Sequence, residues 1–251
     1  MKHLYYLLFT LSIGFAQVPN VWWVDGTSGN DNNNGQSEST AFKTIQTIFK
    51  NNYLSAYNDT IYVKEGTYDF KDAKLDVYIG FVIVGVSGAE KTIFDAGSEN
   101  RHFYLDISFN NKDKGYKQKF EGISFIKGYD AGRGGSIGTG SYANVYFNGC
   151  IFENNQSQYQ GGAIYSSGGI DINSTVFKNN KAILSTGSNQ SGALHITDTG
   201  SNRISAVIKN SKFIGNFTQA KYDAVGGAAS ILVAADIINT TFINNLSLIH
   251  I

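Results

Sequence analysis

A single cysteine, Cys150, stands among 251 residues, which excludes an internal disulfide framework. A single proline and 28 glycines, with much Asn, Ser and Thr, argue for many turns and short strands and against long helices. Charge of either sign is not in excess, 20 Lys and Arg against 20 Asp and Glu, so nothing favours nucleic acid or an anionic membrane as partner. No apolar run is long enough to span a bilayer. The longest, Leu4 to Phe15, follows Met1-Lys2-His3 and ends in Gly14-Phe15-Ala16, the order of a cleaved signal peptide over 1–16. Export is therefore expected. With 42% hydrophobic and 14% aromatic residues, what is present suffices for a sizeable core.

That core material recurs in register. From Gly122 to Asn245 a unit returns five times, anchored on Phe125, Phe152, Phe177, Phe213 and Phe242. Three places on stand Gly128, Asn155, Asn180, Asn216 and Asn245; five places before stand Phe120, Phe147, Ile172, Ile208 and Ile237. Spacings of 27, 25, 36 and 29 between the Phe residues mean stacked units rather than one closed core. Equivalent positions should then form ladders at roughly 4.8 Å, with Phe and Ile columns inside. Cys150 falls in a small inward column with Ile123, Thr175, Ser211 and Thr240 and reads as a core residue. The Asn column is expected at a left-handed turn, its amides bonded up and down the stack. The pairs Gly134-Gly135, Gly161-Gly162 and Gly226-Gly227, with Ser191-Gly192, are expected at another corner, where a side chain would strike the next coil.

Ahead of the repeats, Val21-Trp22-Trp23-Val24 is strand-like and Thr27 to Ser39 is loop. Asp31 and Asn33, with Asp25 before them, place oxygen ligands at alternate positions as a calcium loop would; a plain Asx-rich loop is the alternative, since no Glu closes it. No cofactor is expected, calcium being the one these residues would allow. Thr40 can cap a helix over Ala41 to Asn51, with Phe42, Ile45, Ile48 and Phe49 on one face.

The runs Trp23-Val24-Asp25-Gly26, Phe42-Lys43-Thr44-Ile45-Gln46, Asp59-Thr60-Ile61-Tyr62-Val63, Gly66-Thr67-Tyr68 and Phe120-Glu121-Gly122-Ile123-Ser124-Phe125 resemble, in that order, the pectin-lyase-like superfamily of right-handed parallel β-helices. The Gly-Gly-Ala-Ile and Phe-x-x-Asn units resemble the repeats of polymorphic outer-membrane proteins, a surface-exposed subset. The resemblance implies an all-β, single-stranded right-handed parallel β-helix, or solenoid, over 58–245, of roughly seven or eight turns. A strand, loop and short capping helix over 17–57 would precede it. Leu246 to Ile251 follows a repeat without a polar cap and is expected to be a non-native tail on a β-helix truncated at its C-terminus.

Hydrolysis in such a fold would need two carboxylates about 5–9.5 Å apart, whereas the resemblance implies for a lyase a calcium held by acids, with an Arg or Lys as base. Aligned on the Phe residues, Asp171 and Asp236 are two coils apart with Val207 between them, and Glu153 stacks on Lys178. No column places two acids in succession, which argues against an enzyme. Function is therefore expected on the edge where coil length varies, between each Asn and the next Gly pair. Tyr129, Tyr159, Tyr222 and Asp223 are the candidate ligand-binding residues there, and Asp130 with Arg133 the candidate catalytic pair. His195, without a partner at ligand spacing, reads as a surface residue. The two functions this leaves are an adhesive, structural or binding module of the cell surface, and a polysaccharide lyase, glycoside hydrolase or carbohydrate-binding module. A polysaccharide or cell-surface glycan is the expected partner, with no transmembrane helix in the mature chain, which is expected to be a monomer.

Overall fold

Stretches in which every second residue is buried cannot be helical, and they form strands: Asp59 and Val63 flank Ile61 on the inward face of one, and Phe81, Ile83 and Gly85 line the next. The computed structural model describes residues 19–55, 58–107, 115–184, 189–199 and 204–249, so the expected signal peptide lies outside the described residues.

Strands return to the same face once per coil and pair in parallel with their equivalents. The first sheet has eight: Val21–Val24, Asp59–Val63, Phe81–Gly85, Gln118–Glu121, Asn144–Asn148, Gly169–Asn173, Ser205–Lys209 and Ala234–Ile238. The second has seven and carries the Phe residues of the repeat, from Ser124–Ile126 through Thr241–Ile243 in the later coils. The third is narrow, running from Tyr129–Asp130 and Gln156–Ser157 to Leu246–Ile249. The fourth comprises Leu75–Val77, Phe103–Leu105, Ile137–Thr139, Ile164–Ser166, Leu194–Ile196 and Ala229–Ile231. A short extra pair joins Asn189–Gln190 to Ala224–Val225. The molecule is a right-handed parallel β-helix, as the resemblance implied.

The ladders have the expected register. Phe125, Phe152, Phe177, Phe213 and Phe242 pair in succession, their rings nearly parallel with centroids 4.8, 5.0, 4.5 and 4.9 Å apart. That spacing is the coil rise itself. Phe120, Phe147, Ile172 and Ile208 form the second inner column, and burial of each such side chain contributes roughly 1.5–3 kcal/mol. Cys150 is buried, its thiol donating toward Phe120 O and Asn148 O, and burial pushes its pKa up to about 12.

Two details at the corners differ from expectation. The left-handed residue is not the column Asn but the one before it: Asn154, Asn179 and Asn244 have φ of 57°, 54° and 51°. Asn155, Asn180 and Asn216 instead turn inward and are fully buried. The reason is hydrogen bonding, since each amide finds a backbone carbonyl and the neighbouring Asn inside the coil. A Cβ on Gly162 would lie 2.0 Å from the carbonyl oxygen of Gly192 on the next coil, so the Gly pairs do mark the corner where the coils touch.

The capping helix is shorter than expected, Gln46–Lys50. Phe42 is extended because it bridges to Val24, donating to Trp23 O and accepting from Asp25 N. Only beyond Thr44, whose N–H is taken by Asp31, can a helix begin. Ile45 and Ile48 are buried, and Phe49 meets Phe81 and Phe103 edge-on, so the helix closes the interior of the first coils. At the other end, Leu246–Ile249 is the last strand of the third sheet, paired with Phe217–Ala220.

Candidate ligand-binding cleft

Outward residues of the fourth sheet form a column of their own: Tyr104, Gly138, Tyr165, His195 and Ser230 in register. Large side chains are interrupted at Gly138. Its alternate neighbour Gly140 faces the same way, while Thr139 between them points inward and bonds to Ser166 and Ser167. Each glycine is a seat. A Cβ on Gly138 would lie 2.3 Å from Nη1 of Arg101, and one on Gly140 would lie 2.0 Å from Oδ2 of Asp106. Both charged side chains come from the coil before, on either side of Tyr104, and lie flat on backbone that carries no side chain.

Arg101 is fixed there by Asp130 at the end of the short strand of the third sheet. Its Nε donates to Asp130 Oδ2 at 2.8 Å and its Nη2 reaches the same oxygen, while Gly132 N–H donates to Oδ1 at 2.7 Å. Both carboxylate oxygens of Asp130 are thus engaged. Arg133 stands on the opposite rim with its guanidinium carbon 5.1 Å from the Tyr165 ring centre and Nη1 donating to the Tyr165 hydroxyl at 3.2 Å. Tyr165 in turn stacks on His195, centroids 5.5 Å apart and planes within 8°.

His195 is therefore not the surface residue expected from its neighbours. It is 1% exposed, stacked under Tyr165 with Ser191 Oγ 3.3 Å from its Nδ1, and burial, then the charge of Arg133, lower its pKa to about 4. Burial does the same to His102, whose ring donates to Phe94 O and accepts from Ser136 inside the coil.

Together these groups enclose a cleft of ≈ 660 Å³ lined also by Tyr159, Ser141, Ser167 and Thr199. Tyr159 is 45% exposed at its mouth. Beyond the Arg133–Tyr165 wall a smaller cavity of ≈ 260 Å³ continues over His195 toward Thr197 and Leu232.

Of the expected site residues, the structure brings together Asp130, Arg133 and Tyr159. Tyr129 lies beside Asp130 on the same strand, and its hydroxyl accepts from Gln158 at 2.9 Å outside the cleft lining. Tyr222 and Asp223 lie on a different loop, where Lys221 sits 5.2 Å from the Tyr222 ring. The candidate calcium ligands are engaged within the protein. Asp25 accepts from Thr27 N, Ser28 N and Lys64, and although burial pushes its pKa up, these donors outweigh it and hold it below the usual carboxylate value. Asp31 accepts from Lys43 N, Thr44 N and the Thr44 hydroxyl, and Asn33 donates to Ala41 O. Among the described residues no three His, Cys, Asp or Glu stand together as a metal would need.

Arg101, Tyr104, Asp106 and the glycine seats were not foreseen. The available signal was Gly138-Thr139-Gly140, two glycines on one face of a strand whose successor carries Tyr165. In the repeat coils the acids stand as expected: Asp171, Val207 and Asp236 are consecutive in register, and Glu153 pairs with Lys178 at 2.8 Å. The expectation that no column places two acids in succession fails in the coils before the repeat, where Asp69 and Asp95 are direct register partners and Lys127 pairs with Asp95; alignment on the repeat Phe residues did not reach those coils.

The stretch from Gly149 past Phe152, Asn155 and Gly161-Gly162 to Ser167 holds the Phe, Asn and Gly-pair positions of one repeat together with Tyr159, Tyr165 and Ser167 of the cleft. It is also where the chain matches a known family. Residues 149–167 match the Chlamydia polymorphic membrane protein repeat. This accords with the Gly-Gly-Ala-Ile and Phe-x-x-Asn resemblance, and such a repeat suggests an outer-membrane or surface location. Among solved structures, a rhamnogalacturonan lyase is similar at 11% identity and a TM-score of 0.41, over 81% of this chain and 70% of that one. No curated protein matches the chain. No helix among the described residues is long and apolar enough to cross a membrane.

Proposed function

We propose that this chain is an exported, surface-exposed β-helix that binds a glycan in the cleft between Tyr104 and Tyr165, as an adhesive or binding module. The observation that carries the reading is the cleft's composition. Tyr159 offers an exposed ring for stacking, and Ser141 with Thr199, their hydroxyls bonded to each other at 2.9 Å, offers hydroxyl oxygens beside fixed charges on a rigid sheet. A stacked coil needs none of these features, since its stability comes from the inner columns. A hydrolase or lyase reading is less well supported. Asp130 has both oxygens engaged by Arg101 and Gly132, which leaves it poorly placed to take a proton.

The test is calorimetric titration of the protein with neutral and charged oligosaccharides, alongside an assay for unsaturated products with and without calcium. Binding without turnover, weakened at least several-fold by Tyr159→Ala, is expected. Turnover abolished by Asp130→Ala would overturn the reading in favour of an enzyme.

A further inference from the structure

We propose that the ligand of this cleft is zwitterionic, a glycan carrying both a carboxylate and a free amine, with Arg133 receiving the carboxylate and Asp106 the amine. The inference rests on the glycan-binding reading above and narrows it.

Among the described residues four charged side chains line the cleft: Arg101, Asp106, Asp130 and Arg133. Arg101 and Asp130 neutralise one another. Arg133 and Asp106 are left, of opposite sign, and neither forms an ion pair among the described residues, with each other or with any other group. They are kept apart by the fold. Arg133 is held over Tyr165, which is the register partner of Gly138, while Asp106 lies on Gly140. Gly138 and Gly140 are two residues apart, about 6.6 Å along an extended chain, and Tyr165 lies one coil away, about 4.8 Å across it. Asp106 is fixed in place by the N–H groups of Ile107 and Tyr142, which donate to its Oδ1 at 2.9 and 3.1 Å, while Oδ2 lies over Gly140.

A ligand of one sign would satisfy one of these groups and confront the other, and a neutral one would meet both only with hydroxyl hydrogen bonds, weaker than charge-paired ones. Only a ligand with both signs at comparable separation meets the two groups at once. The Arg101–Asp130 pair between them lets the intervening part of the ligand be uncharged.

The test is titration calorimetry, in mildly acidic low-salt buffer, with four oligosaccharides of equal length. These are O-carboxymethyl-chitosan (amine and carboxylate), chitosan (amine only), galacturonan (carboxylate only) and cellulose (neutral) oligomers. The first is expected to bind about tenfold more tightly than either singly charged oligomer. Arg133→Gln should erase its advantage over the chitosan oligomer, and Asp106→Asn its advantage over the galacturonan oligomer. Asparagine keeps the Oδ1 acceptor for Ile107 and Tyr142, so folding is preserved, and unchanged thermal midpoints of both variants verify this. Binding of all four oligomers with equal affinity, or variants that keep the wild-type preference, overturns the inference while leaving the glycan reading intact. Binding of none overturns both.

Discussion

Asn180 donates its side-chain amide to Asn216 Oδ1 at 3.0 Å, one coil further along a stack of buried amides. The same Oδ1 accepts the backbone N–H of Asn180, and the second amide hydrogen of Asn180 goes to Phe152 O. Asn155 is bonded to Asn180 in the same way. Replacing Asn180 with Ala leaves two donors of Asn155, its backbone N–H and its side-chain amide, without their acceptor and removes the side-chain bonds to Phe152 O and Asn216, all without access to water. A loss of about 3 kcal/mol or more is expected in urea unfolding. Asn180→Asp should be no better, because a carboxylate cannot donate to Phe152 O or Asn216. A substitution costing under about 0.5 kcal/mol would show that the ladder is decorative.

Repetition explains what could be foreseen. Phe152 above Phe125, Val207 between Asp171 and Asp236, and Glu153 beside Lys178 follow from aligning like with like, because each coil solves the same packing problem with the same residue type. The inward turn of Asn155 was not legible, since left-handed backbone and buried amide hydrogen bonding are both roles that Asn fills. The start of the helix depended on a long-range bridge from Phe42 to Val24 that local periodicity does not record. The cleft was the least visible feature. It is made by side chains that are missing, at Gly138 and Gly140, and by Arg101 and Asp106 from a coil outside the regular repeat.

The two kinds of glycine corner should respond differently to one added methyl. At Gly162 a Cβ meets the carbonyl oxygens of Gly192 at 2.0 Å and Lys181 at 2.4 Å, and both are backbone of the next coil. At Gly149 the backbone is left-handed, with φ of 60°, but nothing lies within 4 Å. Gly149→Ala should cost only the left-handed strain of about 1–2 kcal/mol. Gly162→Ala must push coils apart and should cost about 3 kcal/mol or prevent folding. Thermal midpoints of the two variants compare them directly, and equal shifts would refute the assignment of the Gly pair to coil contact.

Acid should weaken the fold through its buried histidines. His102 is buried and neutral, and burial lowers its pKa to about 4 from an ordinary value of 6.5. The unfolded chain therefore takes up a proton as pH falls through 6.5, and the folded chain does not until about 4. Stability contributed by keeping this ring neutral is fully present above 6.5 and is lost progressively down to about 4, on the order of 3 kcal/mol. His195 acts in the same direction. Urea midpoints should fall steadily between neutral pH and mild acid. A flat profile across that window would show that these rings ionise in the folded state.

Cys150 should report on coil opening. Its thiol is buried and its pKa is pushed up to about 12, so almost no thiolate forms near neutral pH. Native protein should resist alkylation for as long as it stays folded and react at once in denaturant. Labelling in native buffer at a rate near that of a free thiol would mean that the central coils open locally.

Gly138 gives the most direct test of how the cleft is built. An added Cβ would lie 2.3 Å from Arg101 Nη1 and 3.4 Å from the Tyr104 ring, and it meets no backbone. The guanidinium is the far end of a flexible side chain, so Gly138→Ala should be accommodated by Arg101 moving off its seat and should change the thermal midpoint little. Moving Arg101 strains its bonds to Asp130, loosens the rim that positions Gly132 and Arg133, and fills the floor on which a ligand would rest. Affinity for the best-binding oligosaccharide should then fall about tenfold or more with the fold intact. Gly149→Ala, an open corner outside the cleft lining, serves as the control and should leave affinity unchanged. If Gly138→Ala binds as wild type does, ligand does not rest on the fourth sheet, and recognition must lie on another face of the coil.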